Sequence, residues 1–367
     1  MNVNEWNVLT HSASVEKEKQ IRHQIKNCER NRKMSENMNL NGKGDTPEKE
    51  GVVDKVIKIF ENGWNKQVIL YGPPGTSKTY SATIIAAKFL AGSNWDENKS
   101  DENNTYKIAK ELLENEYKAN YKIVQFHPSY SYEDFVRGIT VKPAEENNGI
   151  TYVTESKFFE SFCKQAQNNK EQKYVLIIDE INRAPLASVL GELIYGLEYR
   201  ESSIATPYAI NGEYDFSIPD NLYIIGTMNT ADRSIGSIDY AVRRRFAFVQ
   251  VESNGEEIKG SWIDGNAGEK AKNLYDELMN EKEGIFSKNY LEDQDMDVND
   301  IKIGHTYFLG RKNEQEGNSN VKDGMEYLKY RIEYQIKPIY EEYIKDGIIK
   351  SDGLKKFDEI LEKLELK

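Results

Sequence analysis

Cysteine is nearly missing from this sequence: Cys28 and Cys163 are the two in 367 residues. They lie far apart with no CxxC partner, which argues against a disulfide framework or a thiolate zinc site and for a reducing compartment. Histidine is almost as scarce, with four residues. Neither His127 nor His305 has a second ligand at metal spacing, so both are expected to be satisfied structural histidines. No apolar run reaches the ~18 residues that a membrane span needs, and Met1 to Glu50 holds no apolar leader-like stretch. A soluble, cytoplasmic chain without a membrane partner is expected. Positive charge is outweighed, with 49 Lys and Arg against 61 Asp and Glu and a net charge of −12. That excludes a general polyanion-binding surface but leaves room for a local basic patch. No cluster typical of a metal-dependent nuclease is found.

What is present falls into three parts. Residues 1–50 are polar, rich in Asn, Lys and Glu, and read as an arm or linker. From Val52 the texture changes to apolar runs alternating with helical patterns. "QVILYG" ends at Gly72, "YKIVQF" at Phe126, "YVLIID" at Asp179, "LYIIGTMN" at Asn229 and "FAFVQV" at Val251. Continuous apolar strands separated by helices imply a parallel sheet covered on both faces, an α/β fold. "ITVKPAEENNGITYV" and "YAINGEYDFSI" each carry Asn-Gly between β-prone residues, which predicts two hairpins decorating that sheet. After Val251 the pattern turns helical and acidic. The expected organisation is an arm over 1–50, a nucleotide-binding core over 51–253, and a helical lid with a C-terminal helix over 254–367.

The core reading rests on Gly72-Pro73-Pro74-Gly75-Thr76-Ser77-Lys78-Thr79, between a strand and a helix that continues with Tyr80. It matches G-x-x-x-x-G-K-[ST] except that Ser77 replaces the second fixed glycine. Such a loop rings phosphates with backbone amides at a helix N-terminus. Lys78 would reach the β- and γ-phosphates, and the Thr79 hydroxyl would ligate Mg²⁺. Serine at position 77 is cheap if its dihedrals are helical and strained if φ is positive.

"YVLIID" ends in Asp179-Glu180, and two carboxylates at the tip of a buried strand are costly without a task. Asp179 would hold the hydrated Mg²⁺ and Glu180 would polarise the attacking water as general base. Leu186, Val189, Leu190, Leu193, Ile194 and Leu197 then form an apolar stripe at helical spacing, read as core packing on one helix. Asn229 ends the neighbouring apolar strand, where it can orient water or the γ-phosphate. Arg243, Arg244 and Arg245 precede the last core strand and, taken alone, read as a basic strand cap making surface pairs.

Several stretches together resemble one family, the AAA+ GTPase subunits of McrBC-type methylcytosine-dependent restriction systems. They are "QFHPSYSYEDFVRGI" from Gln125, "DEINRAPLASVLGELI" from Asp179, "MNTADRSIGSIDYAVRRRF" from Met228, "IGHTYF" from Ile303 and "YQIKPIYEEYI" from Tyr334. The resemblance runs from about Val52 to Asp346 and departs at Ser77. It implies an AAA+ P-loop NTPase with a five-stranded parallel sheet between helices and a C-terminal helical lid. It implies a homo-oligomeric ring, a hexamer in the family, hydrolysing GTP or ATP with Mg²⁺ beside an McrC-like nuclease subunit, so that DNA is engaged through the complex. The base is not read from the sequence, and GTP and ATP both stay open. By resemblance Asn229 is the first sensor, Asp232 and Arg233 belong to the motif of nucleotide hydrolysis, and one of Arg243 to Arg245 is an arginine finger, Arg244 first among them. The family's N-terminal DNA-recognition domain has no counterpart in fifty polar residues. Recognition then lies in another subunit, or the chain is a core without its reader. A protein-remodelling ATPase of the MoxR or dynein-related branch is the alternative. A nucleotide-gated scaffold is a third reading, supported by Ser77 alone.

Overall fold

In the computed structural model, residues 50–96, 104–144, 149–231, 238–310 and 324–367 are described. The arm, residues 1–49, lies outside them. Nine strands run in chain order through the described residues: β1 (Gln67–Gly72), β2 (Tyr121–Gln125), β3 (Arg137–Pro143), β4 (Ile150–Ser156), β5 (Tyr174–Asp179), β6 (Ile204–Ile210), β7 (Glu213–Phe216), β8 (Leu222–Asn229) and β9 (Ala247–Gln250). The five apolar runs make one sheet in the order β2-β5-β8-β1-β9. Its pairings are all parallel.

Alternate residues of these strands feed two separate cores, as a sheet buried on both faces requires. Val68, Leu70, Val175, Ile177 and Ile225 pack with helices Val52–Glu61, Lys78–Ala91 and Thr105–Asn115. Ile69, Leu176, Ile178 and Ile224 face the other way, against helix Phe158–Asn168 and residues 186–197. The expected αβα architecture is present. A third core belongs to the C-terminal helices, where Leu274, Leu278, Phe308, Ile336, Tyr340 and Phe357 are buried together.

Both hairpins form, β3 with β4 and β6 with β7. At the second turn Asn211 and Gly212 take φ of 53° and 84°, the paired positive dihedrals that Asn-Gly supplies. Arg137 at the start of β3 joins the two. It is 2% exposed, ion-paired with Glu160, and donates to the carbonyls of Tyr208, Tyr214 and Asp215.

One local reading is corrected. The stripe from Leu186 to Leu197 is two short helices, Leu186–Leu190 and Leu193–Glu198. Gly191 breaks it at φ 51°, where an added Cβ would press on the Tyr132 ring at 3.3 Å. The helical run from Met325 widens to a π-turn over Ile332–Ile336 before helix Lys337–Lys345. Pro338 explains it, since its ring and missing N–H break the regular helical ladder just upstream.

Candidate active site

Strand order places β8 between β1 and β5, so the phosphate loop, the two carboxylates and Asn229 leave the same edge of the sheet. Gly72 pairs with Asn229 in register, and Asp179 pairs with Gln125 one strand beyond β8.

Within the loop, backbone conformation decides which residues fit. A Cβ on Gly72 would lie 2.5 Å from the Val251 carbonyl oxygen, and Gly75 sits at φ 79°. Ser77 adopts φ 65°, ψ 28°. It is therefore the strained alternative, at a cost of about 1–3 kcal/mol for a non-glycine residue. Its Oγ lies 3.2 Å from His305 Nε2. His305 Nδ1 accepts the Asn254 backbone N–H at 3.2 Å, so the proton sits on Nε2 and His305 donates to Ser77. Burial lowers the His305 pKa to about 4, which keeps the ring neutral. His305 is thus a satisfied structural histidine, whereas His127 is exposed and meets the Tyr130 ring in a T-shaped contact with centroids 5.2 Å apart.

The Lys78 ammonium is buried and donates to the carbonyls of Gly72 at 2.9 Å and Pro73 at 2.7 Å. Thr76 Oγ1 also donates to Pro73. Pro74 lies beside them and offers its carbonyl to Gly304 N–H at 2.8 Å. Tyr80 is 39% exposed and stacks on Tyr106, with centroids 4.6 Å apart.

Thr79 Oγ1 donates to Asp179 Oδ1 at 2.6 Å. Thr227 Oγ1 reaches the same oxygen at 2.7 Å and accepts the Glu180 N–H. The hydroxyl and carboxylate suit Mg²⁺, which takes one or two protein oxygens and fills its shell with phosphate and water. Asn229 Nδ2 donates to Glu180 Oε1 at 2.7 Å. Arg183 lies 3.4 Å from the other oxygen of Glu180. Asn182 donates to the Asn229 carbonyl. Asp232 and Arg233 lie outside the described residues.

The three arginines have three environments. Arg243 lies over the Phe248 ring at 4.9 Å. Arg245 is 9% exposed, pairs with Glu198 at 2.8 Å and donates to the Ala241 carbonyl. Its own carbonyl accepts Gln67 Nε2 at 2.8 Å and Asn65 Nδ2 at 3.2 Å. Arg244 has a side chain 67% exposed, with Glu198 at 3.6 Å. The arginines therefore sit at the N-terminal end of β1 and the phosphate loop at its C-terminal end. Five residue steps separate Gln67 from Gly72, about 17 Å of strand.

Sequence reasoning missed Thr227, Arg183 and the partnership of Ser77 with His305. Thr227 carried a readable signal, since it precedes Asn229 by two and shares its face of β8. The serine–histidine pair spans 228 residues, and no local pattern announces it. Also missed was Asn98-Lys99-Ser100-Asp101, which spells the Asn-Lys-x-Asp pattern of guanine-binding loops; it lies outside the described residues.

The AAA domain family (dynein-related subfamily) matches residues 104–246. The chain is 33% identical over 285 residues to the type IV methyl-directed restriction enzyme EcoKMcrB subunit of Escherichia coli K12, covering 77% of this chain and 54% of that protein. It is 27% identical over 217 residues to the type II restriction enzyme BsuMI component YdiS of Bacillus subtilis 168, covering 50% of this chain and 56% of that one. The chain thus spans about half the length of these curated relatives. It carries an AAA domain of the P-loop NTPase class, and its resemblance to McrB-type subunits is shown.

Proposed function

We propose that this McrB-related chain is the nucleotide-hydrolysing ring subunit of a McrBC-like DNA restriction complex. It works in the cytoplasm with a separate McrC-like nuclease subunit and meets DNA through that complex. Both curated relatives are restriction-enzyme components by name. The observation that carries the reading is the placement of Arg244 at the opposite end of β1 from the phosphate loop. An exposed cation so far from its own loop is suited to a neighbouring copy's nucleotide. This assigns Arg244 as the finger in trans, Arg245 as its structural support and Arg243 as a neighbour packed on Phe248.

Loop amides and Lys78 hold the triphosphate, GTP or ATP. Thr79 and Asp179 are the donors for a magnesium ion, which supplies charge neutralisation at the β- and γ-phosphates. Glu180 accepts the proton of the attacking water, and Asn229 fixes its carboxylate. Asp232 and Arg233 are assigned to the same hydrolytic motif. The domain boundary proposed at 253/254 separates this core from the helical lid.

Turnover of GTP and ATP in competition, with and without a chelator, tests the reading. Magnesium-dependent hydrolysis of at least one is expected; hydrolysis of neither contradicts it. The dynein-related family match also suits the protein-remodelling ATPase. A nuclease subunit encoded beside this chain favours the restriction complex, and its absence favours the remodeller.

A further inference from the structure

The segment Gly304–Tyr307 lies directly on the phosphate loop, and its contacts have a consequence for nucleotide binding. A loop that presents amides to an anion must place its carbonyls elsewhere, because each buried carbonyl also needs a donor. Gly72 O accepts from Thr230 N–H as well as Lys78, and Pro73 O from Thr76 Oγ1 as well as Lys78. Those two keep a donor when Lys78 turns to a phosphate. The next two carbonyls are served from the other side: Gly304 N–H reaches Pro74 O at 2.8 Å, and Thr306 gives Gly75 O both its N–H at 3.1 Å and its hydroxyl at 2.9 Å.

The contact leaves no room for side chains. A Cβ on Gly304 would fall 1.7 Å from Gly75 O and 2.4 Å from Thr76 N, and one on Gly75 would fall 2.5 Å from the Tyr307 ring. The segment is in turn anchored to the C-terminal helices. Arg331 donates to the carbonyls of Thr306 at 2.7 Å and Tyr307 at 2.9 Å. Trp262 Nε1 donates to Phe308 O at 2.9 Å. The His305–Ser77 bond adds a side-chain tie at the one loop position where serine is strained.

We propose that Gly304–Tyr307 is a strap that positions the phosphate loop, with Ser77 and His305 as its side-chain clasp, so that docking of the strap and binding of nucleoside triphosphate are one linked equilibrium. The inference rests on the loop being the nucleotide site. The strap occupies the rear carbonyls, the front amides stay available to phosphate, and a movement of the C-terminal helices that lifts the strap releases nucleotide.

Gly304 has φ −72°, ψ 154°, a conformation alanine adopts freely, so Gly304→Ala disturbs the contact and not the local dihedrals. Affinities of the full chain for fluorescent GTP and ATP analogues with Mg²⁺ are measured for wild type, Lys78→Ala and the strap variants. Gly304→Ala is expected to weaken binding on the order of hundredfold and to speed release, an effect of the size that steric overpacking produces. Thr306→Val should weaken it about threefold to tenfold, the worth of one hydrogen bond, with Thr306→Ser restoring it. Ser77→Gly and His305→Ala should be non-additive in affinity by about threefold to tenfold. His305→Gln should keep much of the clasp, since its amide can accept from Asn254 and donate to Ser77. Wild-type affinity in folded Gly304→Ala would overturn the strap. If that variant unfolds, equal binding by Thr306→Val and additivity of Ser77→Gly with His305→Ala overturn it instead. A wild-type chain that binds no better than Lys78→Ala overturns the nucleotide site itself, a result distinct from failure of the strap.

Discussion

At the C-terminal end of β1 the catalytic candidates are held by their own chain. Lys78 rests on loop carbonyls, Thr79 on Asp179, Glu180 on Asn229, and Ser77 on His305. At the N-terminal end of the same strand, Arg245 is buried on Glu198 at 2.8 Å, while Arg244 beside it is largely exposed and lies 3.6 Å from the same carboxylate. One end is held together within the chain; the other presents a cation that is 67% exposed and only loosely paired, with Glu198 at 3.6 Å. The contrast favours a site completed by a second copy, with Arg245 fixing the backbone from which Arg244 reaches out.

Removing the exposed charge is the largest perturbation of that contrast. Arg244→Ala should bind nucleotide almost normally and lose on the order of 10³-fold or more in turnover, as loss of an arginine finger does. Its thermal unfolding should match wild type. Glu180→Gln should also bind, because Thr79 and Asp179 are untouched, and lose about 10²–10⁴-fold in turnover with the general base. Steady-state hydrolysis beside analogue titration separates these two effects. Wild-type turnover in Glu180→Gln would remove the base assignment.

The fold was legible where apolar runs were long. "YVLIID" and "QVILYG" are β5 and β1 residue for residue, because a strand buried on both faces needs unbroken apolar sequence. The hairpin turn at Asn211-Gly212 was legible through its dihedral demand. The break at Gly191, with its φ of 51°, was not, since the apolar stripe continues across it and an isolated glycine is also tolerated inside a helix. At the site, the loop and its carboxylates announce themselves by spacing. The left-handed Ser77 does not: residue type leaves both dihedral choices open, and His305 supports the chosen one from 228 positions away.

The supporting arginine should show the opposite profile to Arg244. Arg245→Ala is expected to lower stability by about 1–2 kcal/mol, discounted because Glu198 keeps contact with solvent. A melting shift of a few degrees would register it. An unchanged melting temperature would leave Arg245 no structural part. The last effect concerns pH. Folded His305 titrates near 4, below the ~6.5 of an unfolded histidine. The unfolded chain therefore binds more protons between those values. Stability from this group is full above about pH 6.5 and is lost as pH falls toward 4. His305→Gln should flatten that part of the stability profile, measured by denaturant unfolding across the window.

Mixing Arg244→Ala with Glu180→Gln subunits tests the shared site most directly. Each is expected to be nearly inactive alone. In mixed assemblies some interfaces pair an intact Glu180 with a neighbour's intact Arg244, and turnover should return to a measurable fraction of wild type. If mixed assemblies form and stay as inactive as their parents, Arg244 does not act on a neighbouring copy's nucleotide.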